Sequence, residues 1–448
     1  MSSAPDIDRS LRSSGIVIRP GIPVCQSALP LDWYQEEFKP YAEEYLALPD
    51  RTPETVLPWM DGYIRPALAL LGPELMLLAH YYMGGEIVKL VERYGGHIAD
   101  SYELARQTLL HPEKKLFVES AVHFMAEAIA LLTAPDQQVF ITNPKSGCTM
   151  EMMAKDFMVQ PAFDKLHALY GDDLMVLSYM NTSGRVKALA GRTGGAVCTS
   201  SNAAVILRWA LRQGRKIFFV PDEHLGRNVA TQVGIPQDRL YLWPGGHAGA
   251  DFEPGSADRA ALDAAQMVLW GSFCGVHTVF APDHVHYWHG RGFEVLVHPE
   301  SPKPVVDLAE GSGSTSYLWR RVLDAPSGSR FAVATEGHFV KNLREQAALR
   351  GIEVEHLAEV PGGAMGSCGC ATMSRNDPPH LVALLDLLRR GTPPEANRVL
   401  AGDSVDELSG WRERLPTAER EQLARDARRS LERMIEITES SPSGLTAS

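Results

Sequence analysis

Short, nearly unbroken apolar runs recur along the chain, at Leu75–Ala79, Gln138–Thr142, Leu174–Ser178, Lys216–Val220, Phe293–Val297 and Phe331–Ala334. Each has strand length. Their apolar residues are continuous rather than alternating, as expected of parallel strands covered on both faces. Longer segments between them, His123–Leu132, Ala203–Gln213 and Leu381–Arg389, read as helices, so the pattern predicts an α/β protein. Residues 1–64 are rich in Pro, Ser and acidic groups with only fragments of periodicity, which predicts an irregular extension on a core starting near Pro66. At the other end, Asp403–Thr438 is strongly charged, with Leu408, Trp411, Leu415, Leu423 and Met434 at helical intervals. It predicts surface helices followed by a disordered tail from Glu439.

The residues that follow the strands carry more information than the strands. Leu75–Ala79 opens into His80-Tyr81-Tyr82, Leu174–Ser178 into Tyr179-Met180-Asn181, and Phe293–Val297 into His298-Pro299-Glu300. Ligands of parallel sheets bind just beyond the carboxyl ends of strands, so these polar residues are site candidates. A second series places small hydroxyl residues at helix starts: Asp100-Ser101, Cys198-Thr199-Ser200-Ser201-Asn202 and Gly313-Ser314-Thr315-Ser316. Any one of them reads as an N-cap; three in register point to a shared anion site.

Cysteines repeat on the same plan. Cys148, Cys274 and Cys370 each close a stretch of strand, His- or Tyr-bearing loop, strand and serine-rich loop. Cys274 lies 126 residues after Cys148, and Cys370 only 96 after Cys274, so the second unit carries an insertion of about 30 residues, expected near 244–265. Three thiolates from three similar units suggest one site on a pseudo-threefold axis. A 4Fe–4S cluster held by three cysteines keeps one iron open to substrate.

Composition narrows the classes. A net charge of −12 argues against binding duplex nucleic acid, whose affinity comes from clustered Lys and Arg. Met1–Gly15 has no apolar secretory core, and Pro73, Glu74 and His80 interrupt the apolar stretch around Leu68–Met83, so neither a signal nor a membrane span is expected. Six cysteines are too sparse for a disulfide scaffold and fit a reducing, cytoplasmic setting. Cys25 and Cys198 read as buried or incidental. Cys368 could compete with Cys370 for iron or act as a regulatory thiol, and the reading as a bystander is favoured.

An ordered set of motifs resembles the quinolinate synthase family. It includes His80-Tyr81-Tyr82, Ala99–Arg106, Val122–Glu127, Ser146-Gly147-Cys148-Thr149-Met150, Tyr179–Ser183, Cys198–Ala203, Pro221–Gly226, His298-Pro299-Glu300 and Gly313–Ser316. Together they cover about residues 75–398. The resemblance implies three pseudo-threefold-related three-layer αβα domains, with short parallel sheets, around a central iron–sulfur site. The expected boundaries are an extension over 1–64, a first domain over 65–148 completed by about 371–398, a second over 149–273 with its insertion, a third over 274–370, and a helical then disordered extension over 399–448.

The family's cluster ligands correspond to Cys148, Cys274 and Cys370. Departures are Ser272 two before Cys274 where the family has Gly, Ser301 after His298-Pro299-Glu300 where Cys is usual, and Ser374 after Met373 where Lys is frequent. The implied reaction condenses iminoaspartate with dihydroxyacetone phosphate to quinolinate in de novo NAD biosynthesis, releasing phosphate and two waters, with functional coupling to an L-aspartate oxidase. His80, Tyr82, His298 and Glu300 are then expected in acid–base work. Ser101, Tyr179, Asn181, Ser200 and Thr315 would bind substrate together with His80 and His298, Ser201 being the alternative to Ser200. His277 is balanced between orienting the cluster loop and touching substrate, while His224, Glu223 and Glu336 read as structural. Two other readings stand beside this one: an iron–sulfur dehydratase or lyase on another small carboxylic acid, and a non-catalytic iron–sulfur or zinc protein.

Overall fold

The computed structural model describes residues 30–83, 87, 91–361, 369–370, 372–406 and 411–441. Cys25, Cys368 and the expected tail beyond 441 lie outside the described residues. In chain order the strands are β1 (Leu75–His80), β2 (His97–Ala99), β3 (Leu116–Ser120), β4 (Gln138–Ile141), β5 (Leu174–Tyr179), β6 (Val197–Cys198), β7 (Lys216–Val220), β8 (Leu240–Pro244), β9 (Met267–Gly271), β10 (Glu294–Val297), β11 (Gly311–Ser312), β12 (Arg330–Ala334), β13 (Glu353–His356) and β14 (Arg398–Val399), followed by the short strands Ser404–Asp406 and Trp411–Glu413. The protein is mixed α/β, built of short, mainly parallel sheets among helices.

The chain divides into two compact units. One takes in Met1–Gly147, Arg321–Leu400 and Asp406–Trp411; the other takes in Cys148–Arg320, Ala401–Val405 and Arg412–Ser448.

In the first unit the order β14-β4-β3-β1-β2 makes one sheet, parallel except for the antiparallel edge strand β14. All six residues of β1 are buried, which is what its continuous apolar run requires. Leu78, Phe117, Val139 and Ile141 from the sheet pack with Leu104, Ala126 and Ile129 from helices Ser101–Leu110 and His123–Leu132. Strand β3 was not legible as an apolar run because it ends in Glu119-Ser120, both fully buried. A second parallel pair, β12 with β13, belongs to the same unit.

The described part of the segment expected to be irregular, residues 30–64, is largely helical, in Lys39–Leu46 and the start of Pro53–Leu71. Pro58 and Pro66 lie inside the longer helix and disguise its periodicity. Aromatic residues dock this region on helix Pro378–Arg389: the Tyr34 hydroxyl donates to Asp377, the Tyr34 ring stacks on His380, and the Tyr41 hydroxyl donates to Asp386 across 2.7 Å.

The second unit is built on an all-parallel sheet, β6-β5-β7-β9-β8. Its core joins Val176, Phe218, Val220, Val268 and Trp270 to Val159, Leu166, Val186 and Leu189 from helices Asp156–Tyr170 and Gly184–Arg192. The stretch expected as an insertion near 244–265 is a folded crossover: helices Gly246–Asp251 and Ser256–Ala264 join edge strand β8 to β9. Strands β10 and β11 pair in parallel in this unit.

The charged C-terminal region differs from its expectation in register. Trp411–Glu413 is a strand, and one helix runs over Thr417–Ser440, through the start of the expected tail. Its buried stripe is Ala427, Leu431, Met434 and Ile435. Gly191 allows this helix to approach Gly184–Arg192, since a Cβ there would lie 1.8 Å from the Asp426 carbonyl oxygen.

Candidate active site

Polar residues gather at the strand ends of the second unit. Tyr179 is the last residue of β5, and His298 and Glu300 follow β10 directly. The Tyr179 hydroxyl donates to Glu300 Oε1 across 2.5 Å, and Glu300 Oε2 lies 2.8 Å from His277 Nδ1. The His277 and His298 rings stack with centroids 4.6 Å apart. All four side chains are buried.

Burial alone would raise the Glu300 carboxyl, but the charges of His298 and His277 and hydrogen bonds from His277 and Tyr179 pull it down to about 2. This carboxyl is held ionised and its two oxygens serve two different partners. Asp222, fully buried nearby, moves the other way: burial and the Glu300 charge push it up, against N–H donors from Leu225 and Cys274.

The loop carrying Glu300 is clamped from behind. Asn228 Nδ2 donates to the carbonyls of Pro299 at 2.8 Å and Ser301 at 2.9 Å. Glu300 N–H donates to His298 Nδ1 at 3.4 Å, which in a neutral ring leaves the proton on Nε2. The first unit repeats this hook, with Tyr82 N–H donating to His80 Nδ1 at 3.2 Å. There the buried His80 ring meets Tyr82 edge-on, with centroids 4.7 Å apart, and the Tyr82 hydroxyl bonds Thr335 Oγ1 at 2.9 Å.

The expected anion residues sit at helix starts. Ser101 opens helix Ser101–Leu110 behind the capping Asp100 in the first unit, and the buried Thr315 opens Thr315–Leu323 in the second. Ser200 and Ser201 both line a cavity of about 260 Å³ with Asn228, Lys303 and Gly313. Ser201 is also tied to Thr199, Oγ to Oγ1 at 2.7 Å, so its hydroxyl has a local partner.

Among the described cysteines, Cys148, Cys274 and Cys370 are reduced and partly exposed, whereas Cys198 is buried. Burial pushes the Cys198 thiol far up, an inert side chain. Two sulfurs of the first group have polar neighbours: Asn181 Nδ2 donates to Cys148 Sγ at 3.8 Å, and Thr372 Oγ1 lies 3.1 Å from Cys370 Sγ, whose thiol burial pushes up. Cys148 and Cys274 belong to the second unit and Cys370 to the first. These donors fit thiolate ligation of iron, and no described thiol is in a disulfide. Ligand atoms of Cys274, His277 and Glu300 also lie within 4.8 Å of one another.

Three residues were missed or undervalued in the sequence. His277, read as evenly balanced, contacts Glu300 directly. Asp222 carried no expected role, and Glu336 read as structural. Each caps a helix and also accepts the backbone N–H of a site cysteine, Asp222 Oδ2 from Cys274 at 3.1 Å and Glu336 Oε1 from Cys370 at 2.8 Å. The available signal was the shared pattern of an apolar strand, one residue, then an acid opening a helix: Val220-Pro221-Asp222 and Ala334-Thr335-Glu336.

Among the described residues no helix is long and apolar enough to cross a membrane. The family model for the quinolinate synthetase A protein matches residues 72–436. A quinolinate synthase of Corynebacterium glutamicum is 34% identical over 85% of this chain and 88% of its own length. One of Nocardioides sp. is 37% identical over 78% of this chain and 87% of its own. One of Acidobacterium capsulatum is 34% identical over 88% and 95%, respectively. The chain therefore belongs to the quinolinate synthetase A family.

Proposed function

We propose that this protein is a quinolinate synthase that condenses iminoaspartate with dihydroxyacetone phosphate, giving quinolinate, phosphate and two waters for NAD biosynthesis. Family membership supports the reaction class. The observation that carries the reading is Glu300, a buried carboxylate held ionised between Tyr179 and His277 beside His298. A protein that only carried electrons would have no use for a buried charge and paired imidazoles at strand ends.

In this reading Cys148, Cys274 and Cys370 hold a 4Fe–4S cluster. When bound, it supplies a Lewis acid for the loss of a substrate hydroxyl. The remaining chemistry falls to side chains. Enolisation, imine formation and ring closure need proton carriers near neutrality, which suits His80 and His298. Glu300, ionised throughout that range, serves as an acceptor and orients Tyr179 and His277 rather than cycling a proton itself. Tyr82 stands beside His80 as the phenolic partner. Ser101, Asn181, Ser200 and Thr315 bind the carboxylates and the phosphate, the three hydroxyls among them from positions near helix starts. The substrates are small and anionic, the enzyme works in the cytoplasm, and an aspartate oxidase is the expected source of the unstable imine.

The test is an oxygen-free reconstitution with iron and sulfide, followed by an assay of quinolinate from dihydroxyacetone phosphate with iminoaspartate generated in place. Product that appears with wild-type protein and disappears with Cys274→Ala supports the assignment. A fully reconstituted cluster without product would contradict it and favour a dehydratase acting on another small acid.

A further inference from the structure

The two carboxylates that touch site cysteines are built alike, one in each unit. Asp222 follows β7 and caps helix Glu223–Gln232; Glu336 follows β12 and caps helix Gly337–Ala348. In each, the two oxygens divide the work. Asp222 Oδ1 accepts Leu225 N–H at 2.6 Å while Oδ2 accepts Cys274 N–H at 3.1 Å. Glu336 Oε2 accepts Phe339 N–H at 3.0 Å while Oε1 accepts Cys370 N–H at 2.8 Å. Both side chains are fully buried.

A helix cap needs one oxygen, and Ser183 does that job for helix Gly184–Arg192 with a single hydroxyl. A buried two-oxygen acceptor is more than capping requires. The second oxygen goes each time to the amide of the cysteine, and Glu336 Oε1 also meets His338 Nδ1 at 2.8 Å. Neighbouring features reinforce the contact. In the second unit Glu223 N–H donates to the Ser272 carbonyl at 2.9 Å, pinning the same loop two residues earlier. In the first, a Cβ on Gly369 would come within 2.5 Å of Glu336 Oε1 and 2.3 Å of the His338 ring, so glycine lets the Cys370 amide reach its acceptor.

We propose that Asp222 and Glu336 are positioning residues for the iron–sulfur cluster, locking the backbones of Cys274 and Cys370 to the first turns of two helices. The inference rests on the cluster assignment proposed above. It assigns to this pair the task that supporting hydrogen bonds perform around metal ligands generally, where losing one partner typically weakens metal holding about 10- to 100-fold. A rigid N–H contact holds the ligand loop in place before iron arrives, and it does so without competing for the metal.

Asp222→Asn and Glu336→Gln test the division of labour, because an amide offers one acceptor oxygen and one N–H₂ donor in place of two acceptors. Either the cap or the cysteine amide loses its partner. Wild type, both variants and Ser183→Ala, a loss of capping alone, would be reconstituted without oxygen. Iron and sulfide per chain would be measured, then the loss of visible cluster absorbance to a chelator, with melting of the apo-proteins beside it.

The expected result is cluster loss at least about tenfold faster in Asp222→Asn and Glu336→Gln, with Ser183→Ala at the wild-type rate. Loss at the Ser183→Ala rate in both would overturn the inference. Should Glu336→Gln not fold, Gly369→Ala drives a Cβ between the Cys370 amide and Glu336 Oε1 while keeping the carboxylate itself. Fast cluster loss from the reconstituted variant, its apo-protein melting as a folded protein, supports the brace, and wild-type retention contradicts it. Wild-type protein that takes up no iron and sulfide would instead sink the cluster assignment itself.

Discussion

The Tyr179 hydroxyl donates to Glu300 Oε1 across 2.5 Å in a buried setting, joining the end of β5 to the loop after β10. A buried carboxylate is tolerable only when its lone pairs are met, and this donor is one of the groups that hold Glu300 down at about 2. Tyr179→Phe removes the O–H and keeps the ring. We predict a loss of about 1–3 kcal/mol of stability and a fall in quinolinate turnover of about tenfold or more. Chemical denaturation and steady-state assay check both. Unchanged values would mean that the hydrogen bond is not used.

Glu119 makes the opposite case within the first unit. It is fully buried on β3, neither carboxyl oxygen has a hydrogen-bond partner among the described residues, and burial raises it well above the ordinary 4.5. The folded protein therefore binds a proton here more tightly than the unfolded chain does. Its contribution to stability is complete below about pH 4.5 and is lost as the pH rises toward the folded value. Glu119→Gln keeps the shape without the ionisation. We predict a higher melting temperature than wild type at pH 7–8, with the difference shrinking as the pH falls toward 4.5. A melting difference independent of pH would contradict this account.

Gly191 tests the docking of the C-terminal helix. An alanine there places its Cβ 1.8 Å from the Asp426 carbonyl oxygen, a contact that backbone must move to relieve. We predict that Gly191→Ala costs about 1–3 kcal/mol and opens Thr417–Ser440 to proteolysis. Wild-type protection of that helix would show that the contact is softer than its geometry.

The sequence made the strand-end residues readable because parallel sheets bury their strands on both faces and expose chemistry only beyond them. Tyr179, His298 and Glu300 were singled out that way, and the apolar pattern placed helix His123–Leu132 and strand Lys216–Val220 at their observed limits. Strand β3 hid behind the buried polar pair Glu119-Ser120, and helix Pro53–Leu71 behind two internal prolines. The link between His277 and Glu300 joins positions 23 residues apart, and nothing local in either loop encodes it. Asp222 and Glu336 were hidden for a different reason: what they recognise is backbone N–H, which every residue but proline carries.

The most direct test of the central claim is the quinolinate turnover of Glu300→Gln at cluster content matched to wild type. The variant keeps an acceptor for Tyr179 and loses the buried charge beside His277 and His298. The account predicts equal iron and sulfide with turnover reduced about 100-fold or more. Wild-type turnover by a Glu300→Gln enzyme with a full cluster would contradict it.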